Sequence, residues 1–367
     1  MANILYLGCH QVLEFDDLKL FTEMGHAVFS LAGVYQDANS EHNMRPDIPG
    51  LFHNEHLSLV GSKCSKENID AELLDWADVV LMTHNGRVDV VDHPQPWLGS
   101  TPKNSKGLTG NNWEKFKKAG KPVVWRSIGQ SIQPIEESLK PFRDEGLKIV
   151  RYSPMEKYIP KYVGEDAMIR FYKDPQEYTG WTGTSKNIVN ISQAMFGDGK
   201  VASRGDHMSL NVFKKVVEDL PWKIFGPNNA NAGLEHDGGK LTFEDLKTAL
   251  RFNRVFFYSG TRPASYTLGF IEAMLTGIPI VSIGPKLGNE IYNQQTFEAH
   301  EIIGENGIAG FWSDDPRELR EYCKRLLEDD TLAQNVSEQG RLRAIQYFGR
   351  EGIKDAWNKF FQDLGIK

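Results

Sequence analysis

Short apolar runs alternate with amphipathic stretches along the whole chain. Residues 3–8 (NILYLG) form an apolar run that ends in glycine, a pattern typical of a buried strand. The next stretch, 15–24, has apolar residues at helical spacing, and a second apolar run follows at 27–31. Strand, helix and strand in this order predict a βαβ unit, from which parallel sheets are built.

The same alternation continues in two series. Further strands are predicted at 77–82, 122–125, 147–152, 187–191, 222–226, 254–258 and 278–282, and further helices at 113–119, 210–220, 243–251, 270–276, 316–329 and 333–347. A segment rich in proline and glycine, 173–183, separates the two series and is typical of a linker. We therefore predict an α/β protein with two Rossmann-like, doubly wound domains, 1–172 and 185–348, that face a cleft.

Composition excludes several classes of protein. The 367 residues are 40% hydrophobic and 25% charged, as in ordinary globular domains, which excludes collagen-like and generally disordered chains. No apolar run approaches the roughly 18 residues of a membrane span, and the apolar N-terminus lacks the basic residues of a signal peptide. Three widely spaced cysteines, Cys9, Cys64 and Cys323, predict reduced thiols in the cytoplasm and match no zinc motif.

Charge is distributed unevenly along the chain. The net charge of −7 argues against a general polyanion binder. Residues 1–100 contain 5 basic and 15 acidic side chains, whereas residues 101–170 contain 14 basic and 8 acidic ones. The positive stretch fits either an anionic ligand or acceptor, or an ordinary set of solvated helix faces.

The segment 258–290 contains the strongest candidate site. A predicted strand ends at Tyr258, and a loop of small residues, 260–269, leads into a helix. Backbone N–H groups at a helix start, together with the helix dipole, suit a phosphate group. Glu272 follows just inside this helix, where a carboxylate can accept hydrogen bonds from ribose hydroxyls. The alternative is an ordinary strand–loop–helix unit with a glutamate on its surface.

Residues 269–281 (GFIEAMLTGIPIV) resemble the LEAMAxGxPVV signature of the retaining GT-B glycosyltransferases of group 1, the family 4-like class. The segments 301–311 and 314–319 are similar to the stretches that follow this signature in the family. The resemblance covers 187–345 well, and 1–160 only in architecture. It implies a GT-B fold, a nucleotide-diphosphate sugar as donor substrate, no separate cofactor and no metal ion.

The resemblance also implies roles for residues of the second domain. Glu272 occupies the position of the glutamate that binds the donor ribose in the family. The backbone amides of Ser265, Tyr266 and Thr267 correspond to those that hold the diphosphate.

The chain departs from the family at two places. A first glutamate, which positions the donor sugar in the family, would fall at position 264, where this chain has Ala264. Candidates to replace that contact are Arg262, Ser265 and Tyr266. The family's cationic pair for the diphosphate does not align cleanly, but Arg204 before Gly205 is a candidate and Lys200 is a weaker one. A leaving diphosphate gains negative charge, so a cation is expected beside it.

Loops at the strand ends of the first domain contain further polar candidates. His10, His84, Arg126 and Gln130 all follow predicted strands, whose carboxyl ends face the predicted cleft. We take His84 and Arg126, with Arg204, as the candidate catalytic residues. The alternative for each of them is an ordinary structural or solvated side chain.

The C-terminal segment 349–367 is predicted to be a helix. Its apolar stripe consists of Trp357, Phe360, Phe361 and Leu364. The resemblance implies that this helix packs back on the first domain.

The function implied by the resemblance is transfer of a sugar to an acceptor hydroxyl with retention of configuration. The acceptor stays open among a glycan, a lipid-linked molecule and a modified nucleic acid. The expected location is cytoplasmic, with peripheral attachment to a membrane as one case. Three alternatives remain, namely a viral-type GT-B enzyme that acts on a modified DNA base, a GT-B-fold sugar-nucleotide epimerase, and an inactive module that binds a sugar nucleotide.

Overall fold

Two compact units make up the fold. In the computed structural model the described residues are 1–8, 11–30, 69–84, 112–129 and 131–366. One unit consists of Met1–Tyr172 with Glu351–Lys367, and the other of Lys173–Arg350. The segment 173–183, which we predicted to be a linker, therefore belongs to the second unit.

The described residues of the first unit form a parallel sheet with four flanking helices that precede the second unit. The strands are β1 (Asn3–Leu7), β2 (Ala27–Ser30), β3 (Val79–His84), β4 (Val123–Ser127), β5 (Lys148–Arg151) and β6 (Ala167–Met168). The helices are α1 (Gln11–Glu23), α2 (Ala71–Trp76), α3 (Asn112–Ala119) and α4 (Gln133–Asp144). The strands lie side by side in the order β2-β1-β3-β4-β5-β6, and all pairings are parallel.

The second unit repeats this plan. Its strands are β7 (Ser185–Ile191), β8 (Trp222–Phe225), β9 (Asn253–Tyr258), β10 (Ile280–Ile283) and β11 (Phe311–Ser313). Its helices are α5 (Leu210–Val217), α6 (Phe243–Phe252), α7 (Leu268–Thr276), α8 (Pro285–Gly288), α9 (Ala299–Ile303), α10 (Pro316–Glu328) and α11 (Asp330–Phe348). The strand order is β11-β10-β9-β7-β8, again with parallel pairing throughout.

Each sheet has a point at which the strand order reverses. In the second unit, the chain moves from β7 to β8 on one side and then returns to β9 on the other side of β7. In the first unit, the same reversal lies between β1 and β3. Ligands of such sheets bind outside the carboxyl ends of the strands at this switch point. The segments that follow β7 and β9 are therefore the expected ligand site of the second unit.

The last helix, α12 (Arg350–Asp363), packs against α1 of the first unit. The ring of Trp357 lies edge-on to that of Phe21, with centroids 5.0 Å apart, and the Phe361 ring is 5.8 Å from the same partner. The side chains of Trp357, Phe360 and Phe361 are buried. Each large apolar side chain buried in this way contributes about 1.5–3 kcal/mol to stability, which holds the helix on this unit.

Candidate functional site

Helix α7 starts directly after the loop that follows β9. Thr267 is its N-cap residue, and the Thr267 side-chain oxygen accepts a hydrogen bond from the Phe270 amide at 3.4 Å. The helix ends before Gly277, which adopts a left-handed conformation (φ 91°) and donates its N–H to carbonyls one turn earlier. Residues 270–276 are all buried, so packing fixes the direction in which the first turn points.

The first turn of α7 keeps two backbone donors open. In the part of the chain that the structure describes, the amides of Leu268 and Gly269 meet no hydrogen-bond acceptor. Both residues are partly exposed, and a Cβ atom placed on Gly269 would meet only the Thr267 hydroxyl oxygen, at 4.0 Å. Two N–H groups at the positive end of a helix dipole, with open space beside them, form a site for an anion.

The loop between β9 and α7 is fixed by the segments around it. The Ser265 carbonyl accepts a hydrogen bond from the Glu298 amide at 3.0 Å. The side chains of Ser265 and Tyr266 are buried, and the Tyr266 ring packs against Phe348 with centroids 5.3 Å apart. This burial disfavours a contact of either side chain with the donor sugar, and that role stays a prediction. A role for the loop's backbone amides stays a prediction.

Glu272 lies in the second turn of α7, and its side chain is 8% exposed. Because helical side chains lean toward the N-terminus, we expect its carboxylate beside the first turn. Glu272 Oε1 forms an ion pair with Lys173 Nζ at 2.8 Å and accepts a hydrogen bond from the Tyr178 hydroxyl at 3.2 Å. A carboxylate that is buried and paired in this way is not an ordinary surface glutamate.

Lys173 and Tyr178 were missed by the sequence analysis, because both lie in the segment 173–183 that we predicted to be a linker. Both side chains are buried in the second unit. Arg341 of α11 binds this segment to the end of α7, since its guanidinium donates to the carbonyls of Tyr178 and Leu275. One sequence signal could have found Lys173, because it directly follows two aromatic residues that are expected to be buried. A lysine buried with them requires a carboxylate partner.

A second segment, 204–209 after β7, lies against the β9–α7 loop. The Arg262 amide donates to the His207 carbonyl at 2.9 Å. The Arg262 guanidinium donates to the Asp206 carbonyl at 2.8 Å and to the Ser209 hydroxyl. This guanidinium joins the two segments at the switch point and also lies 3.5 Å from the exposed Glu290 carboxylate. A contact of Arg262 with the donor sugar stays a prediction.

Arg204 supplies a cation at the start of this segment. Its Nε atom is buried, and it has no hydrogen-bond partner among the described residues. Burial lowers the pKa of His207, and the positive charges of Arg204 and Arg262 lower it further, which favours the neutral imidazole. Lys200, the other candidate, is exposed. It lies in a turn in which its own backbone amide donates to the Asp198 carboxylate at 2.9 Å.

Arg126 lies in the core of the first unit and not in a strand-end loop. Its fully buried guanidinium forms an ion pair with Asp17 and donates to the Arg170 carbonyl at 3.1 Å. The guanidinium carbon also lies 5.4 Å from the ring centroid of Phe171 and 5.2 Å from that of Trp357. The predicted loop position of Arg126 is therefore wrong. Its buried ion pair favours a structural role, and the catalytic role stays a prediction.

The remaining candidates of the first unit are placed only in part. His84 is the last residue of β3, and its backbone is in register with Ser127 of β4. The His84 side chain, His10 and Gln130 lie outside what the structure describes, so their roles stay predictions.

Many basic side chains of 101–170 are paired with carboxylates within the described residues. The pairs are Lys117 with Glu145, Arg126 with Asp17, Lys140 with Asp144, Arg143 with Asp166, and Arg151 with Glu136. These pairs favour the structural interpretation of the positive stretch over a nucleic-acid surface.

The described residues offer neither a metal-binding cluster nor a membrane-spanning helix. They contain no group of three or more His, Cys, Asp or Glu side chains placed to hold a metal ion. Their helices all fall short of the length and apolar character needed to cross a membrane.

Comparison with known proteins gives matches to solved structures alone. No protein-family model matches the chain, and no curated protein matches it. Anabaena HepE in complex with UDP-glucose has a TM-score of 0.61 and 13% identity over 100% of both chains. A glycosyltransferase from Rickettsia africae has a TM-score of 0.61 and 14% identity over 100% of this chain and 99% of that one. An alpha-glucosyltransferase in complex with UDP-glucose and DNA containing an abasic site has a TM-score of 0.59 and 12% identity over 99% of each chain.

These similarities establish the fold. The two parallel sheets with interleaved helices match the GT-B architecture of two Rossmann-like domains, so the predicted fold class is confirmed. At identities of 12–14%, the similarity does not by itself transfer an activity.

Proposed function

We propose that this protein is a metal-independent glycosyltransferase, which moves a hexosyl or pentosyl group from a nucleotide-diphosphate sugar to an acceptor hydroxyl with retention of configuration. The GT-B fold supports the proposal, because structures of this fold that resemble the chain contain UDP-glucose. UDP-glucose is therefore the first donor to test.

The first turn of α7 is the observation on which the proposal depends. Leu268 and Gly269 offer two amides to the diphosphate, and open space lies beside them. Glu272 follows Gly269 by three residues in the same helix, so we expect its buried carboxylate beside the same turn. Since diphosphate and ribose are adjacent in a nucleotide sugar, a phosphate site next to a carboxylate matches this class of donor.

The reaction requires positioning and charge stabilisation but no side-chain nucleophile. The bond between the anomeric carbon and the diphosphate oxygen breaks, and the diphosphate keeps the electron pair. The acceptor oxygen attacks the anomeric carbon on the same face, and its proton passes to the departing diphosphate oxygen. The α7 amides and Arg204 stabilise the negative charge that develops on the leaving group.

The proposal is tested by offering UDP-glucose and a panel of other nucleotide sugars to the full-length protein. We expect at least one donor to raise the melting temperature and to release its nucleoside diphosphate, with no loss of turnover in a chelator. The anomeric configuration of the transferred sugar, measured by NMR, should equal that of the donor. If no nucleotide sugar binds or turns over with glycan, lipid-linked or DNA acceptors, the proposal is wrong.

The cation at the diphosphate is tested by matched substitutions of its two candidates. We expect Arg204→Gln to lower kcat by about 10²–10³, because one preorganised donor to the leaving group is lost. Lys200→Gln should keep kcat within about twofold, since this side chain is exposed in a separate turn. The reverse outcome would assign the leaving-group contact to Lys200.

A further inference from the structure

The Glu272 carboxylate is held at one of its two oxygens. Lys173 Nζ, whose side chain has no exposed surface, lies 2.8 Å from Oε1, and the Tyr178 hydroxyl donates to the same atom at 3.2 Å. The other oxygen, Oε2, accepts no hydrogen bond from the described residues and is not sealed from solvent. One oxygen is thus bound inside the protein, and the other is left for a ligand.

The two partners of Glu272 are themselves fixed. The Lys173 ammonium lies over the Tyr178 ring, 5.8 Å from its centroid, and the Tyr178 ring packs edge-on to Phe243 at 6.1 Å. Arg341 binds the carbonyls of Tyr178 and Leu275, which ties this segment to the end of α7. Because the ammonium of the ion pair and the Tyr178 hydroxyl come from the same fixed segment, together they favour one orientation of the carboxylate.

We propose that Lys173 and Tyr178 are positioning residues for the donor, which fix the Glu272 carboxylate so that Oε2 receives the ribose hydroxyls. This inference rests on the proposed function, in which Glu272 binds the ribose. It adds that the segment 173–178, outside the sequence signature of the donor site, determines how strongly the protein recognises the ribose. A carboxylate free to change rotamer loses this selectivity, because its orientation must then be fixed on binding.

The readout is the ratio of the affinities for UDP and for 2′,3′-dideoxy-UDP, measured by calorimetry on the full-length protein. The two ligands share base and diphosphate and differ only in the hydroxyls that Glu272 would bind. Wild-type protein should prefer UDP by about tenfold or more, since a hydrogen bond to a charged group is involved. A loss of stability or of diphosphate binding affects both ligands and leaves the ratio unchanged.

Three variants test the positioning role. Tyr178→Phe removes one hydroxyl and should lower the ratio by about threefold. Lys173→Met removes the ammonium and should bring the ratio to within about twofold of one. Lys173→Arg should keep much of the preference, because it keeps the positive charge beside Oε1. Tyr162→Phe is the matched control. It removes a hydrogen bond of the same type, from the Tyr162 hydroxyl to the Glu165 carboxylate at 2.8 Å, but in the first unit, so the affinity ratio should not change.

The outcomes separate this inference from the function on which it rests. If wild-type protein binds neither UDP nor any other nucleoside diphosphate, the proposed function fails. The inference is wrong if wild-type protein prefers UDP and all three variants keep its full affinity ratio. In that case Lys173→Met lowers only the melting temperature, and Lys173 and Tyr178 are structural residues. If Lys173→Met does not fold, the ratio in Tyr178→Phe decides, and an unchanged value overturns the inference.

Discussion

Alanine at position 269 is expected to stabilise the folded protein but to weaken ligand binding. In a helix, replacing glycine by alanine stabilises by about 0.5–1 kcal/mol, and the added Cβ would meet only the Thr267 oxygen at 4.0 Å. Residues three apart share a helix face, so the new methyl group would stand near the Glu272 carboxylate, in the space proposed for the donor. We expect Gly269→Ala to raise the melting temperature and to weaken UDP binding by about tenfold, a loss of about 1.4 kcal/mol.

Gly352 offers the matched control for this prediction. It lies in the first turn of α12, and a Cβ atom there would meet nothing within 4 Å. Gly352→Ala should raise the melting temperature by a similar amount and leave UDP affinity unchanged. If Gly269→Ala binds UDP as tightly as Gly352→Ala does, the diphosphate does not bind at this turn.

Arg126 is expected to matter for stability rather than for catalysis. Arg126→Ala leaves Asp17 buried without its cation, which should cost about 3–5 kcal/mol of unfolding free energy in a denaturant titration. In the double variant Asp17→Leu/Arg126→Met, apolar side chains replace the pair, and most of that stability should return. A double variant that folds but has lost turnover would contradict this account and restore the catalytic interpretation.

The error at Arg126 shows a limit of sequence reasoning at the residue scale. The predicted strand ended at residue 125, which placed Arg126 in a loop, whereas β4 continues to Ser127. Strand ends are poorly marked by local pattern. Its partner Asp17 is 109 positions away in the sequence, so no local signal could reveal the ion pair.

At the scale of single elements, the two helices α7 and α4 show what local pattern can predict. The sequence placed α7 within two residues of its observed start and at its observed end, because an apolar run ends at Gly277 and is followed by Pro279. It missed α4, where Pro134 and Pro141 hide the helical spacing, although Pro134 lies in the first turn, which tolerates proline. The linker prediction for 173–183 failed for another reason. Proline and glycine content does not show whether a segment packs into a domain, as this one does through the buried Lys173.

The turn after β5 gives a prediction of pH dependence. Burial raises the pKa of Glu156 to about 7 from an ordinary value of 4.5, although the Ser127 hydroxyl, which donates to it at 2.7 Å, and nearby Arg151 act in the opposite direction. The folded protein therefore holds this proton more tightly than the unfolded chain does. The contribution of Glu156 to the free energy of unfolding is therefore largest below pH 4.5. It declines by about 3 kcal/mol as the pH rises from 4.5 to 7 and stays constant at higher pH.

Glu156→Gln tests this sign. The variant carries no ionisable group at this position, so its unfolding free energy relative to wild type should increase by about 3 kcal/mol between pH 4 and pH 8. The measurement is a denaturant titration at several pH values. A difference between the two proteins that does not change with pH would show that Glu156 titrates normally.

At the scale of the whole molecule, strand order determines where the candidate site lies. The sequence predicted the alternation of strands and helices but not the order of the strands, because that order depends on pairings between distant segments. The observed order puts the segments after β7 and β9 at the switch point of the second unit, and these contain Arg204 and the start of α7. The strand order and the local sequence signature thus independently place the candidate site at the start of α7.

Hydrogen exchange of the full-length protein with and without UDP tests most directly whether the donor nucleotide binds at the first turn of α7. Binding should slow the exchange of amides that become hydrogen-bonded or buried. We expect protection in peptides that cover 259–276 and 192–209, and the exchange of α12 should be unchanged. UDP binding that leaves 259–276 unprotected and protects only peptides of the first unit would show that the nucleotide does not bind at α7.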